Sequence, residues 1–261
     1  MVAMRALVRR PGPRLTDGIV SHGERVPVNF ELALLQWEVY VGTLQQHGWE
    51  IIEVPAADDC PDAVFIEDTM VLYRNVAVIA RPGADSRKAE IIDAEKIIEA
   101  QGYSINRIRP PGTLDGGDIL KVHGRDGRGD VVYVGRSDRT NGEGIRQLRE
   151  ILSPLGATVI AVPLSKVLHL KSAVTALPDG TIIGWADALD DPAIFPGFIP
   201  MPEESGAHVV HLDDSTLLVA KDAPRSIVLL EDLGYRTVAV DISEFVKLEG
   251  CVTCLSVRLR Y

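Results

Sequence analysis

Near its C-terminal end the 261-residue chain carries Cys251-Val252-Thr253-Cys254, two thiols just ahead of an apolar run. A cysteine so placed can be a nucleophile, half of a redox pair, half of a zinc site or an inert buried side chain. Cys60 is the one further cysteine, so no second pair completes a zinc set, and no thioredoxin-like context surrounds the motif. A thiol nucleophile needs a histidine near it in space. Six are available: His22, His47, His123, His169, His208 and His211. His47 ends a helical pattern beside Gly48, where a helix C-terminus favours a cation. His123 falls at a hairpin tip, and His208 and His211 flank a strand start. His169, in Leu168-His169-Leu170-Lys171-Ser172, stands just before a hairpin.

Carboxylates form a third group. Asp62, Glu67 and Asp68 lie close together around the apolar Ala63–Ile66, and Leu114-Asp115-Gly116-Gly117-Asp118 adds two more. Such clusters are ordinarily solvated surface. Here Val64-Phe65-Ile66 reads as buried, and the Gly-Gly pair permits close backbone approach. Carboxylates on a partly buried rim must find cations or take up protons. A ligand bearing a planar guanidinium would satisfy several of them through bidentate hydrogen bonds.

What must position these groups is a repeated unit of hairpin, helix and strand. The first runs Thr69–Tyr73 and Val76–Ala80, a helix from an N-cap at Ser86 to Ala100 closed by Gly102, then Ser104–Ile108. The second has Asp118–His123 and Asp130–Val134 around the tip Gly124–Gly129, helix Asn141–Leu152 and strand Thr158–Val162. The third pairs Ser172–Ala176 with Thr181–Trp185 across Pro178-Asp179-Gly180; its helix falls within Asp187–Ile194. The fourth has Ala207–Leu212, Thr216–Ala220, helix Pro224–Leu233 and strand Thr237–Val240. The fifth is split between the chain ends: Leu255–Leu259 and Arg5–Val8, then helix Phe30–Gln46 and strand Glu50–Val54.

A unit recurring at roughly 45–50 residues and closing through the termini reads as a ring; an open α/β sheet is the alternative. In a ring, the segments leading into the hairpins converge at one end of the axis: Asp62–Asp68, Leu114–Asp118, Leu168–Lys171, Gly250–Cys254 and a fourth around Glu203–Gly206. His169 is the histidine this arrangement selects.

Apolar residues make up 46% and charged residues 25%, with a net charge of −10 and a pI near 5.1. That mixture supports a sizeable core and disfavours a phosphate backbone as partner, so no nucleic-acid role is expected. No secretory signal pattern or membrane-length apolar stretch stands out, and three cysteines suit free thiols in a reducing cytoplasm. No linker divides the chain, so residues 1–261 read as one domain.

Taken together, these motifs resemble the dimethylarginine dimethylaminohydrolase family of the guanidine-modifying superfamily. The likeness runs nearly end to end, through Pro61–Asp68, Arg81-Pro82-Gly83-Ala84 with Ser86-Arg87, Leu114–Asp118, Val134-Gly135, Arg139-Thr140-Asn141, His169–Ser172 and Thr253-Cys254. It implies the pentein fold, a five-bladed pseudo-symmetric α/β propeller. It further implies Cys254 as nucleophile, His169 as general acid/base and Asp115, a position where some members carry Glu, as the group orienting the histidine. By the same resemblance Asp62, Glu67 and Asp68 contact the substrate, and Arg87 and Arg139 receive its α-carboxylate. The backbone carbonyl of Leu248 would hold the α-amine, and Val20 would lie in a mobile lid over Leu15–Gly23.

The activity so implied is hydrolysis of Nω-methylated arginine to citrulline and a methylamine, without metal or cofactor, by a monomer or homodimer. Two alternatives stand beside it. Arginine deiminase chemistry uses the same nucleophile and histidine, but its enzymes generally carry a further helical domain. A non-catalytic ring of this fold, such as the ribosome anti-association factor, would lack the Cys/His/acid set.

Overall fold

The computed structural model describes residues 4–124 and 129–259. In chain order its elements are strand β1 (Arg5–Val8), helix α1 (Phe30–Gln46) and β2 (Glu50–Glu53); β3 (Met70–Tyr73), β4 (Val76–Ile79), α2 (Ile91–Ala100) and β5 (Ser104–Arg107). Next come β6 (Ile119–Val122), β7 (Val131–Arg136), α3 (Gly142–Leu152) and β8 (Thr158–Pro163), then β9 (Val174–Ala176), β10 (Ile182–Gly184) and β11 (Ile199–Pro200). The chain finishes with β12 (Val209–His211), β13 (Thr216–Ala220), α4 (Pro224–Asp232), β14 (Arg236–Val240), α5 (Ser243–Val246) and β15 (Val257–Leu259).

These strands form five three-stranded sheets: β15-β1-β2, β3-β4-β5, β6-β7-β8, β9-β10-β11 and β12-β13-β14. Within each, the first pair is antiparallel and the second parallel, as a hairpin followed by a crossover requires. The five blades form a ring closed by pairing of the two chain ends, which excludes the open sheet. The tip of the β6–β7 hairpin lies partly outside the described residues. Middle strands β4 and β13 are buried along their whole length, whereas β2 and β5 are exposed at both ends and half-buried between. First strands face inward: Met70, Leu72, Leu120, Val122, Thr175, Val209 and Val257 line an axial cavity of about 340 Å³. Gly48, Gly102, Gly156 and Gly234 follow the four long helices at φ of 83°, 87°, 92° and 93°, a left-handed reversal where glycine avoids the Cβ penalty.

Two helices differ from the sequence expectation. The stretch expected from Ser86 begins as a 3-10 turn, Asp85–Glu90, before α2, and Ser86 caps nothing. Three residues per turn stack Arg87 above Glu90, and both point inward. In the third blade no α-helix forms within Asp187–Ile194. Two 3-10 turns, Ala186–Ala188 and Pro192–Ile194, stand in its place. Pro192 lacks an amide and disfavours helix at Asp191, which is extended at φ −145° and caps the second turn. Phe195 fills the space, 5.0 Å from the Tyr133 ring.

Before the first strand of each blade the chain makes a tight turn. Four are 3-10: Ile66–Thr69, Gly116–Asp118, Leu170–Ser172 and Ser205–Ala207. The fifth spans residues 252–255. On α1, Ala33, Trp37, Tyr40 and Leu44 form the core-facing stripe. The Tyr40 hydroxyl meets Val252 O at 3.0 Å and Ser256 Oγ at 2.8 Å, so α1 fixes the fifth turn from behind. Among the described residues no helix is long and apolar enough to cross a membrane.

Candidate active site

Three of the five turns, with the residues leading into them, line one cavity that brings together Cys254, His169, Asp62, Asp68, Arg87, Arg139 and Leu248 with Ile19, Phe65 and Gly250, and Asp115 before a fourth turn reaches it through His169. Asp115 and His169 hold equivalent places, each the extended residue immediately before its 3-10 turn. Both side chains therefore enter the same space from adjacent blades. His169 Nε2 lies 3.0 Å from Asp115 Oδ2, and its Nδ1 faces Asp68 Oδ1 at 3.8 Å. A Cβ on Gly117 would stand 2.7 Å from His169 Nδ1, and one on Gly116 would stand 2.1 Å from Glu67 O. Only glycines let these turns approach so closely.

Charge sets the protonation states. Burial alone would discharge His169, but Asp68, Asp115 and Asp118 surround it and raise it to about 9. Asp68 pays its own desolvation yet sits well below the usual carboxylate range, held by His169, Arg87 and the Gly117 amide. Its Oδ2 is 2.7 Å from Arg87 Nη1, and its Oδ1 accepts from Gly117 N at 2.7 Å. Burial instead pushes Asp62 upward. Asp118, fully buried, is raised to about 6; it accepts from Leu170 N at 3.0 Å and Ser137 Oγ at 2.7 Å, and so ties the His169 turn to the Arg139 loop. The Cys254 thiol is pushed well above the ordinary range by its contact with Cys251, by burial and by the carboxylates of Glu67 and Asp68.

Two buried polar atoms here make no hydrogen bond within the protein, Asp62 Oδ2 and Arg139 Nη1. Such groups are costly unless something else meets them. One is a carboxylate oxygen and one a guanidinium nitrogen, groups that a polar ligand can meet. Arg87 is more fully committed: Glu90 takes its Nε and Nη2, Asp68 its Nη1, and Asp62 O and Phe65 O share Nη2. Asp68, Asp115 and His169 offer donor atoms within 4.8 Å of one another, the spacing of a cation site. Arg87 already sits on Asp68, Arg139 lies 3.6 Å from Asp115, and the imidazole is protonated, so this set is charge-balanced as it stands.

Glu67 lies elsewhere. Its amide donates to Cys254 O at 3.1 Å, but its carboxylate turns to the axial cavity. There it meets Lys171 Nζ at 2.5 Å, Arg258 Nη2 at 3.2 Å and Thr253 Oγ1 at 2.9 Å. Val20 is half-buried against the core, while Ile19 lines the cavity. The segment Glu203–Gly206 does not join the site: the Glu203 carboxylate caps α4 through Ser226 N at 2.9 Å. Three other histidines serve the scaffold, with His208 on Ser172 O, His211 on Ala176 O and His47 on Thr43 O.

Sequence reasoning missed Glu90 and Glu249, and counted Asp118 among the carboxylates without giving it a role of its own. Glu90 is the buried counter-ion of Arg87, and its i,i+3 spacing was the available signal. Glu249 has no local signal, because its partners are more than 200 residues away: its carboxylate accepts from Ser21 N, His22 N and Gly23 N at 2.8, 2.5 and 2.8 Å. With Ile19 N donating to Asp62 Oδ1 at 3.0 Å, this closes the Leu15–Gly23 segment over the cavity. The enclosed free volume is about 10 Å³, room for roughly one water.

No family model matches the chain. It is 60% identical over 260 residues to the N(G),N(G)-dimethylarginine dimethylaminohydrolase of Streptomyces coelicolor, covering 100% of this chain and 98% of that one. A crystal structure of the Pseudomonas aeruginosa dimethylarginine dimethylaminohydrolase, a cysteine-to-serine mutant complexed with citrulline, superposes with a TM-score of 0.86 at 33% identity over 98% of each chain. The N-terminal domain of ArgZ, described as an arginine dihydrolase from Cyanobacteria, shares the fold at 19% identity and a TM-score of 0.82, covering 98% of this chain and 97% of that one. By its full-length identity to the Streptomyces enzyme, this chain belongs to the dimethylarginine dimethylaminohydrolase family.

Proposed function

We propose that the chain hydrolyses the guanidino group of Nω-methylated arginines, asymmetric dimethylarginine and monomethylarginine, to citrulline and dimethylamine or methylamine. The observation that carries this reading is the closed cavity in which Cys254 and a protonated His169 share one space with Asp62, Asp68 and Arg139. Identity to a curated dimethylarginine hydrolase supports it.

In this account Asp62 and Asp68 hold the guanidinium, and the unpartnered Asp62 Oδ2 accepts one of its N–H groups. Arg139 Nη1 and the remaining Arg87 N–H receive the α-carboxylate, and the Leu248 carbonyl takes the α-amine. Glu67 supports the floor through its pairs with Lys171 and Arg258. A guanidinium is a poor electrophile, so positioning its carbon against sulfur supplies much of the rate. The arriving cation cancels the carboxylates that keep Cys254 a thiol, and the sulfur ionises. Thiolate attack and departure of the amine, protonated by His169, leave an S-alkylthiouronium on Cys254. Neutral His169, oriented by Asp115, then activates the water that releases citrulline. The lid around Ile19 and Val20 must open for substrate and close to exclude bulk water.

Residues 1–261 act as one catalytic domain in this reading, with no metal or cofactor, as a monomer or homodimer. Three free thiols support a cytoplasmic setting. Compactness does not separate methylarginine from arginine as substrate, since the ArgZ domain is equally compact. The deciding experiment is a citrulline assay with dimethylarginine, monomethylarginine and arginine in parallel. A higher kcat/KM for the methylated substrates is expected; a preference for arginine would overturn the assignment.

A further inference from the structure

Cys251 has no role in the chemistry above, yet its Sγ lies 3.3 Å from Cys254 Sγ. Both side chains are nearly inaccessible, at 4% and 6% exposure. The backbone holds them together: Cys254 N donates to Cys251 O at 3.1 Å, and the turn is anchored from behind by Tyr40 on Val252 O. A disulfide bond of roughly 2.05 Å would need the sulfurs to approach by a little over 1 Å, within the reach of a side-chain rotation in a turn that already pairs them.

The two thiols differ in access. Cys254 lines the closed cavity, and Cys251 does not. The closed site has free volume for about one water, so a hydroperoxide reaches Cys254 when the Leu15–Gly23 segment lifts, as the substrate must. Cys251 also differs in ionisation: its hydrogen bond with Cys254, together with His208 and Thr253, holds it below the ordinary thiol range.

We propose that Cys251 is the resolving thiol of a peroxide-modification site, in which a hydroperoxide oxidises Cys254 and Cys251 captures the product as a Cys251–Cys254 disulfide. Cys254 gives its proton to Cys251, 3.3 Å away and the member of the pair that ionises first, and its sulfur attacks one peroxide oxygen; the O–O bond breaks, and the departing oxygen takes up a proton and leaves as water, or as an alcohol from an organic peroxide. Cys251 then attacks the sulfenic sulfur, the S–O bond breaks and a water leaves as the S–S bond forms. Two thiols lose two electrons and two protons, and the peroxide accepts both. A dithiol reverses the step. The disulfide silences the site but keeps Cys254 from sulfinic and sulfonic acid, which thiols do not repair.

The test uses full-length protein carrying Cys60→Ser, with and without Cys251→Ser, exposed to hydrogen peroxide without substrate. Intact mass, peptide mapping and activity are read before and after dithiothreitol. With Cys251 present, the protein should lose the mass of two hydrogens, yield a peptide linked between residues 251 and 254, and lose activity that dithiothreitol restores. Without Cys251, Cys254 should gain two or three oxygens and the loss should persist. Oxygenated Cys254 with no linked peptide in the Cys251-containing protein would overturn the proposal, as would equal recovery in both. If Cys251→Ser does not fold, the peptide map of the Cys251-containing protein still decides. The mass readout is independent of whether Cys254 is the hydrolytic nucleophile, so the two readings fail separately.

Discussion

His169 and Asp115 stand in equivalent positions of adjacent blades, and their side chains meet at 3.0 Å with neither more than 3% exposed. In the proposed reaction the pair holds a proton donor in the same cavity as the Cys254 nucleophile. With His169 raised to about 9, its imidazolium persists through neutral pH and is lost as pH rises through that value. The pH profile of kcat/KM should therefore fall on the alkaline side near pH 9. Asp115→Asn removes a carboxylate that raises His169, so this limb should move to lower pH. An unmoved limb would assign it to another group.

Replacing His169 by alanine removes the acid for amine departure and the base for water attack. The kcat loss should be about 10²–10⁴-fold. Steady-state rates check this, and near-full activity would move the acid/base role to another group.

Arg139 is the cleaner of the two arginines for testing carboxylate recognition. Its Nη1 is buried without a hydrogen bond, 3.6 Å from Asp115 Oδ2, and its removal leaves that carboxylate still paired with His169. Arg139→Ala should lower kcat/KM on dimethylarginine by about one to two orders of magnitude, the value of a charge-assisted bond. A methylated agmatine, which lacks the carboxylate, should lose little more in the mutant than in the parent.

Arg87→Ala should behave differently, because it leaves Asp68 and Glu90 buried without their cation. Breaking a buried pair costs about 3–5 kcal/mol. The melting temperature should drop by roughly 10 °C in a chain of this size. Adding Glu90→Gln should recover part of the loss; thermal unfolding of single and double variants measures both.

Glu249→Gly tests the lid. Glu249 is a non-glycine residue at φ 59°, and its carboxylate holds three consecutive lid amides. Glycine removes that anchor and relieves the left-handed conformation at once. KM should rise while the melting temperature holds or increases. Unchanged KM would place lid closure elsewhere, with Ile19 N on Asp62 as the remaining contact.

The blade pattern was legible because each blade repeats a hairpin with apolar strands, and four carry a helix closed by glycine. Periodicity reports such local order directly. It failed in the third blade, where Pro192 and Asp191 break the helix and Phe195 fills the space instead. Among the site residues, Cys254 and His169 were readable once their turns were placed at one end of a ring, whereas the individual parts of Asp62, Asp68 and Asp115 came only with the family resemblance. Glu67 was not readable, because its neighbour Asp68 enters the cavity while Glu67 turns toward Lys171 and Arg258, partners set by other blades. Glu249 and the Cys251–Cys254 contact likewise depend on tertiary geometry.

The most direct measurement is mass spectrometry of His169→Gly protein mixed with dimethylarginine, digested and mapped, with Cys254→Ser alongside. Over a long incubation Cys254 should accumulate the substrate less one dimethylamine, the amine taking its proton from solvent, and hold it because no base activates water. Cys254→Ser should carry nothing and release no citrulline. Citrulline formation by Cys254→Ser at the parent's rate, or an adduct on Cys251 in place of Cys254, would contradict the account.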